Sequence, residues 1–365
     1  MKLDKTSSDL NEQSEAYVSC FIIYLHPFRL IETEDDPVKE TTYNQVKNQS
    51  WNAKDLTKVI GALEVNIEAK VSTQLFVARD GGLALPRLEQ LSNTQAVVGK
   101  FNLCLAGALL GGIYCQAITP DSLEAGAIKY YASSKQKYMS GEWQAPAAAN
   151  IFHRQIRFGL ASPIEAGALR APPRVTNFFE LKQAIQVGLQ ILAAVPPVQG
   201  EYLLKGVTSF VRLDWGEALA NFWIVVEQLI SFLWKKYIVD PTLVNDPNSS
   251  RRKQLEDRRT WTASTRIEML TQKDVIPLEC FKALATARRA RNKLHHEGTH
   301  PTKEDAQAAY KGLIELLIVA LNGQKLPLLE IVLDEFMLDD PCSVPECEEF
   351  KACDPDVLSI SQPRY

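Results

Sequence analysis

The 365-residue chain is 46% hydrophobic and 23% charged, the balance of a soluble globular protein long enough for two cores. Its formal net charge of −4 excludes bulk attraction to polyanions, so a nucleic-acid site has to be a local basic patch. Seven cysteines, an odd number spread along the chain, form no disulfide framework and fit a reducing cytoplasm.

Residues 1–16 are polar, lack an apolar signal region and read as the tail of a non-secreted protein. Residues 17–25, YVSCFIIYL, are β-branched and aromatic and read as a strand, with a charged loop expected over 32–50. Within 57–79, Leu63, Val65 and Ile67 alternate with Glu64, Asn66 and Glu68, the pattern of one or two half-buried strands. Asp80-Gly81-Gly82 is a turn signal, so a small sheet is expected ahead of the helices. A helical region is expected over 86–118. Its part from 101 to 118 is almost apolar enough to cross a bilayer, which takes about 20 residues. Asn102, Gln116 and the close-packing GALLGG segment favour a buried core helix instead, and no membrane span is expected.

The pattern over 125–139 leaves the state of that segment open. Prolines make 141–173 an irregular connection with one short helix or strand near 151–160. Asn177, three residues before Glu180, has the spacing of a capping box and opens a helix through Ala194, which Pro196-Pro197 ends. The segment 195–200 is the expected boundary, dividing the chain into an α+β region (1–198), a helical domain (199–325) and an acidic tail (326–365).

The second half predicts helices over 201–212, 215–238 after an Asp214 cap, 262–270, 277–296 and 306–321, the last burying Leu313, Leu316, Leu317 and Ala320. The helix over 215–238 is apolar nearly all round, with Glu227 the one acid in its middle. Residues 240–259 read as a loop carrying Arg251, Arg252, Lys253, Arg258 and Arg259. In the helix over 277–296, Leu284, Ala287 and Leu294 mark an apolar stripe on which Arg291 also falls. A guanidinium there needs a partner, and Glu227 is the expected one, either to fix helix register or to orient Arg291 towards a phosphate. Asn292 and His296 follow four residues apart, hence on one side of the helix, and Gly298 supplies its C-terminal stop. A histidine in the last turn meets the end of the helix dipole that favours its cationic form, and it suits acid–base chemistry. Taken singly, each of these residues also has a purely structural explanation.

Together Arg291, Asn292 and His296 spell R-N-x-x-x-H on the penultimate helix of a helical half, which resembles the signature of the HEPN superfamily, particularly its Apea-like branch. The resemblance covers roughly residues 201–322. It implies a mainly α protein, with a four-to-five-helix HEPN-like bundle following the mixed α+β region. It also implies a metal-independent endoribonuclease that cleaves RNA by attack of the 2′-hydroxyl, in an anti-phage or toxin-like setting with the N-terminal region as sensor. In that reading Arg291, Asn292, His296 and Glu227 are catalytic, and two motif helices face each other in a homodimer. Arg288, Arg289, Lys293, Arg251 and Arg252 are the expected RNA-binding residues. No cofactor or metal is expected: adjacent His295 and His296 point about 100° apart on a helix, and neither His300 nor the tail cysteines Cys342, Cys347 and Cys353 complete a ligand set at zinc-like spacing. The competing reading is a non-catalytic helical module for dimerisation or for binding RNA or a ligand.

Overall fold

A computed structural model describes residues 16–38, 53–68, 71–141, 146–158, 174–245 and 249–338. The β-branched opening forms β1 (Ala16–Tyr24), followed by β2 (Arg29–Glu32) and one helical turn, α1 (Ala53–Thr57). The alternating segment folds into an antiparallel pair, β3 (Val59–Glu68) and β4 (Val71–Ala78). Leu63, Val65 and Ile67 are buried and Glu64, Asn66 and Glu68 exposed, as side chains alternating across a strand require. Asp80 and Gly81 turn the chain, Gly81 at φ 80°, into β5 (Gly82–Pro86). Next comes α2 (Thr94–Leu110), capped by the Asn93 side chain, which accepts a hydrogen bond from the Ala96 amide. It stops before Gly111-Gly112 rather than at Ile118. The segment of open pattern is a hairpin, β6 (Glu124–Tyr131) and β7 (Gln136–Gly141). The short helix of the proline-rich connection is α3 (Ala148–Phe158); β8 (Arg174–Asn177) pairs in parallel with β2, and Asn177 caps α4 (Phe178–Ala194).

The main sheet has six strands in the order β3-β4-β5-β1-β6-β7, each pairing antiparallel with its neighbour. Lys58 and Tyr138 form a single bridge between its two ends, which curls the sheet towards closure. The side chains of Cys20, Ile22, Tyr24, Ala84, Ile128 and Met139 fill one face, while Ile23, Leu75, Val77, Leu83 and Leu85 join the main core with the helices. The GALLGG segment does pack closely: a Cβ on Gly188 of α4 would lie 2.0 Å from the Gly107 carbonyl oxygen of α2, and one on Gly111 would lie 2.1 Å from that of Ala184. The two helices meet backbone to backbone at these points.

The second half contains α5 (Gly200–Val211), α6 (Trp215–Trp234) with a π-helical continuation over Lys235–Val239, α7 (Asp240–Asn245), α8 (Ser249–Glu256), α9 (Ala263–Gln272), α10 (Leu278–Glu297) and α11 (Lys303–Ala320). Asp214, Thr262 and Thr302 cap α6, α9 and α11 through their side chains. Gly216 sits beside Leu294 and Pro301, and Phe222 packs on Tyr310, so α11 runs parallel to α6 and α10 runs opposite. One continuous buried cluster joins the sheet, α2, α4 and the later helices across Val195 and Val198.

Two expectations require correction. Residues 240–259 are not a plain loop, because α7 and α8 form there. Their polar sequence is held by tertiary contacts, the Trp234 and Trp261 indole N–H groups donating to the Leu255 and Gln254 carbonyls. Nor do residues 326–338 behave as a solvated tail. Leu326 and Leu328 are fully buried, Phe336 packs its ring 3.9 Å from that of Tyr114, and the Leu338 amide donates to Val211. The loop expected over 39–50, the N-terminal 15 residues and the three tail cysteines lie outside the described residues. One described helix, Trp215–Val244, is long and apolar enough to cross a membrane, but 56% of its most apolar stretch is buried within the fold.

Candidate functional site

The pose of α10 follows from its packing on α11. Leu284 occupies the space left by Gly312, where a Cβ would come within 2.6 Å of the Leu284 Cδ2, and the Cys280 thiol donates to the Gly312 carbonyl at 3.6 Å. The buried stripe is therefore Cys280, Leu284, Ala287 and Ala290. Arg291 and Leu294 lie half-buried on its flank, one position round from the expected seam. Asn292, Lys293, His295 and His296 are exposed. Gly298 ends the helix in the left-handed conformation at φ 68°, and the cap is made by backbone alone, with the Gly298 and Thr299 amides donating to the Lys293 carbonyl.

Glu227 does not meet Arg291. It is exposed on α6 and accepts the Trp223 indole N–H at 2.7 Å. Because Leu294 is level with Gly216 and the helices are antiparallel, Glu227 lies roughly 12 Å further along α6 than Arg291, at 1.5 Å per residue. The sequence placed Glu227 inside because its neighbours are apolar; the helix turns that one position outward. Among the described residues, the side chains of Arg291, Asn292 and His296 make no hydrogen bond or ion pair.

The expected RNA-binding residues fall into two groups. Arg288, Arg289 and Lys293 share α10 with the motif; Arg288 lines a small cleft with Ser264 and Glu268, and Arg289 is exposed and donates weakly to Thr286. Arg251 and Arg252 are exposed on α8, near the other end of α6. No group of three or more histidine, cysteine or carboxylate side chains placed to hold a metal occurs among the described residues.

Sequence reasoning missed a buried polar cluster between the sheet and α3. Asp80, fully buried in what reads as an ordinary turn, receives a two-pronged contact from Arg157, whose Nε and Nη2 lie 2.7 and 3.0 Å from its two oxygens. Arg157 Nη1 donates to the Tyr24 hydroxyl at 2.9 Å, which donates to Glu124; Asn150 donates to the other Glu124 oxygen at 2.9 Å. His153 stacks on Tyr24 with ring centroids 4.1 Å apart and lies 3.4 Å from Asp80. Burial works against the Asp80 charge, yet Arg157 and His153 outweigh it and hold the carboxyl well below the usual range. Burial lowers the pKa of His153, with Asp80 opposing in part, and raises that of Glu124. Clusters of shifted groups often mark active sites, but Tyr24, Asp80, Glu124, Asn150, His153 and Arg157 are all buried and bonded to one another. The cluster therefore clamps α3 to the sheet. The legible signal was the four-residue spacing of His153 and Arg157 in a segment read as a short helix or strand.

Compared with protein-family models, curated proteins and solved structures, the chain matches none.

Proposed function

We propose that the protein is a metal-independent endoribonuclease of HEPN type whose working residues are Arg291, Asn292 and His296 on α10. What carries the reading is that the side chains of these three residues, at the end of a well-packed helix, make no hydrogen bond or ion pair among the described residues while the backbone alone caps the helix. The structural roles open to them, ion pair with Glu227 or side-chain cap, are thereby vacant. His296 exchanges the proton of an RNA 2′-hydroxyl, Arg291 stabilises the charge that builds on the scissile phosphate, and Asn292 orients one of them by hydrogen bonding. RNA carries its own nucleophile, so the step closes a 2′,3′-cyclic phosphate and releases a 5′-hydroxyl. Arg288, Arg289 and Lys293 hold the backbone by charge.

Arg291 and His296 are five positions apart, so their directions diverge by roughly 140° on one helix. A homodimer in which two copies of α10 face each other brings Arg291 of one copy and His296 of the other to the same phosphate. The four described cysteines are free and buried, in keeping with a reducing cytoplasm.

The test incubates total RNA with the purified protein in EDTA, beside His296→Ala and Arg291→Ala. Cleavage by the parent, with cyclic-phosphate ends, and its loss by at least a hundredfold in both variants is expected. Equal cleavage by parent and variants refutes the assignment, and absence of cleavage in all three, with folding intact, favours the binding-module reading.

A further inference from the structure

Where α6 passes into its π-helical turn, an open pocket of about 440 Å³ forms among Trp234, Tyr237, Trp261, Met269, Arg251 and Lys273. That volume is within the usual span of small-molecule sites, about 300–1,000 Å³. The two tryptophans stand 4.9 Å apart at 39°, and both are fixed by their edges: each indole N–H is spent on a backbone carbonyl at the end of α8. Trp234 is buried beneath, whereas Trp261 and Tyr237 are partly open. The site is thus an aromatic platform fixed by these edge bonds and by its own packing, with Arg266 over the Trp234 ring, Lys236 over the Tyr237 ring and Trp261 leaning on Trp234. Such prior fixing lowers the entropy cost of stacking a ligand on the open side of Trp261.

The charge of the lining is one-sided. Among the described residues that line it, Arg251 and Lys273 are basic and none is acidic. The Lys273 ammonium makes no ion pair among the described residues. The turn that presents Tyr237 and Ile238 to the pocket is π-helical, a rare conformation found disproportionately at functional positions. Along α6, Trp234 lies roughly 22 Å from the level of Arg291 and roughly 30 Å from that of His296, at 1.5 Å per residue.

We propose that this pocket binds a nucleoside phosphate, its base stacked on Trp261 and Tyr237 and its phosphate held by Arg251 and Lys273. The planar π-face, the apolar rim and the paired cations each match one part of such a ligand and together match little else of that size. The site is separate from the proposed cleavage surface and does not depend on that function. A free nucleotide and a single nucleotide of an RNA chain offer the same chemistry.

Isothermal titration of the full chain with adenosine 5′-monophosphate, adenosine, inorganic phosphate and a six-residue oligoadenylate tests the assignment. Binding of the monophosphate is expected, at least tenfold tighter than adenosine or phosphate alone. Trp261→Ala and Lys273→Glu, checked for folding by circular dichroism, each weaken it tenfold or more, while His296→Ala leaves it unchanged. Trp261-dependent binding of the oligoadenylate alone upholds the pocket and names an RNA chain as its ligand. The proposal is overturned if neither the monophosphate nor the oligonucleotide binds at millimolar concentration, or if both folded variants bind like the parent. Since His296→Ala probes only the cleavage surface, failure of one assignment is read independently of the other.

Discussion

Replacing Arg157 by methionine removes the guanidinium that neutralises Asp80 and keeps much of its bulk. Three bonds disappear, two to the Asp80 carboxylate and one to the Tyr24 hydroxyl, and the fully buried Asp80 is left with His153 and the Gly82 amide, neither of which carries a fixed charge. Breaking a buried pair by removing one partner costs about 3–5 kcal/mol, a large share of a stability of about 5–15 kcal/mol. The pH dependence changes sign at this site. In the parent, Asp80 has a folded pKa below its unfolded value, so its contribution is present above about pH 4 and is lost as the pH falls further. In the variant, burial acts on Asp80 without Arg157 and raises its folded pKa, so the deficit is greatest near pH 7 and shrinks on acidification. His153, whose pKa burial lowers in the parent, reinforces this by taking up a proton more readily beside the unpaired carboxylate. Urea unfolding at pH 7 and pH 5 measures both effects, and Asp80→Asn added to the variant recovers part of the loss by removing the stranded charge. A loss below about 1 kcal/mol at pH 7, or a double variant no more stable than the single one, refutes the account of the cluster as a buried clamp.

Two further outcomes follow from the packing. Gly188→Ala places a methyl 2.0 Å from the Gly107 carbonyl oxygen and costs a net ~2 kcal/mol or more, because overpacking outweighs the gain of about 1 kcal/mol in helix propensity. Gly99→Ala, on α2 with nothing within 4 Å, keeps the propensity gain and raises the thermal midpoint; equal effects at the two sites contradict the backbone-to-backbone contact. Asn292→Ala and His296→Ala leave the unfolding midpoint within about 0.5 kcal/mol of the parent, since both side chains are exposed and unbonded among the described residues; a large loss gives them a structural role instead.

Local signals determined much of the chain. The alternation over 63–68 is enough to specify a half-buried strand, since only a period of two puts Leu63, Val65 and Ile67 on one face, whereas the pairing with the strand over 71–78 emerged in the fold. Asn177, Asp214, Thr262 and Gly298 mark helix ends because capping chemistry depends on residues two to five positions away. The R-N-x-x-x-H string is likewise local, and its place near the end of α10 needed nothing beyond helix periodicity. Tertiary structure decided the rest. Which way a residue faces on an apolar helix depends on the neighbours that surround it, so Glu227 reads as buried and stands outside, while Arg291 moves to the flank once Gly312 admits Leu284. Asp80 looks like a turn residue because its partner is 77 positions away, and no local pattern joins it to Arg157. The pocket beneath Trp261 arises in the same way, from α6, α8 and α9 converging on a segment whose polar sequence reads as loop.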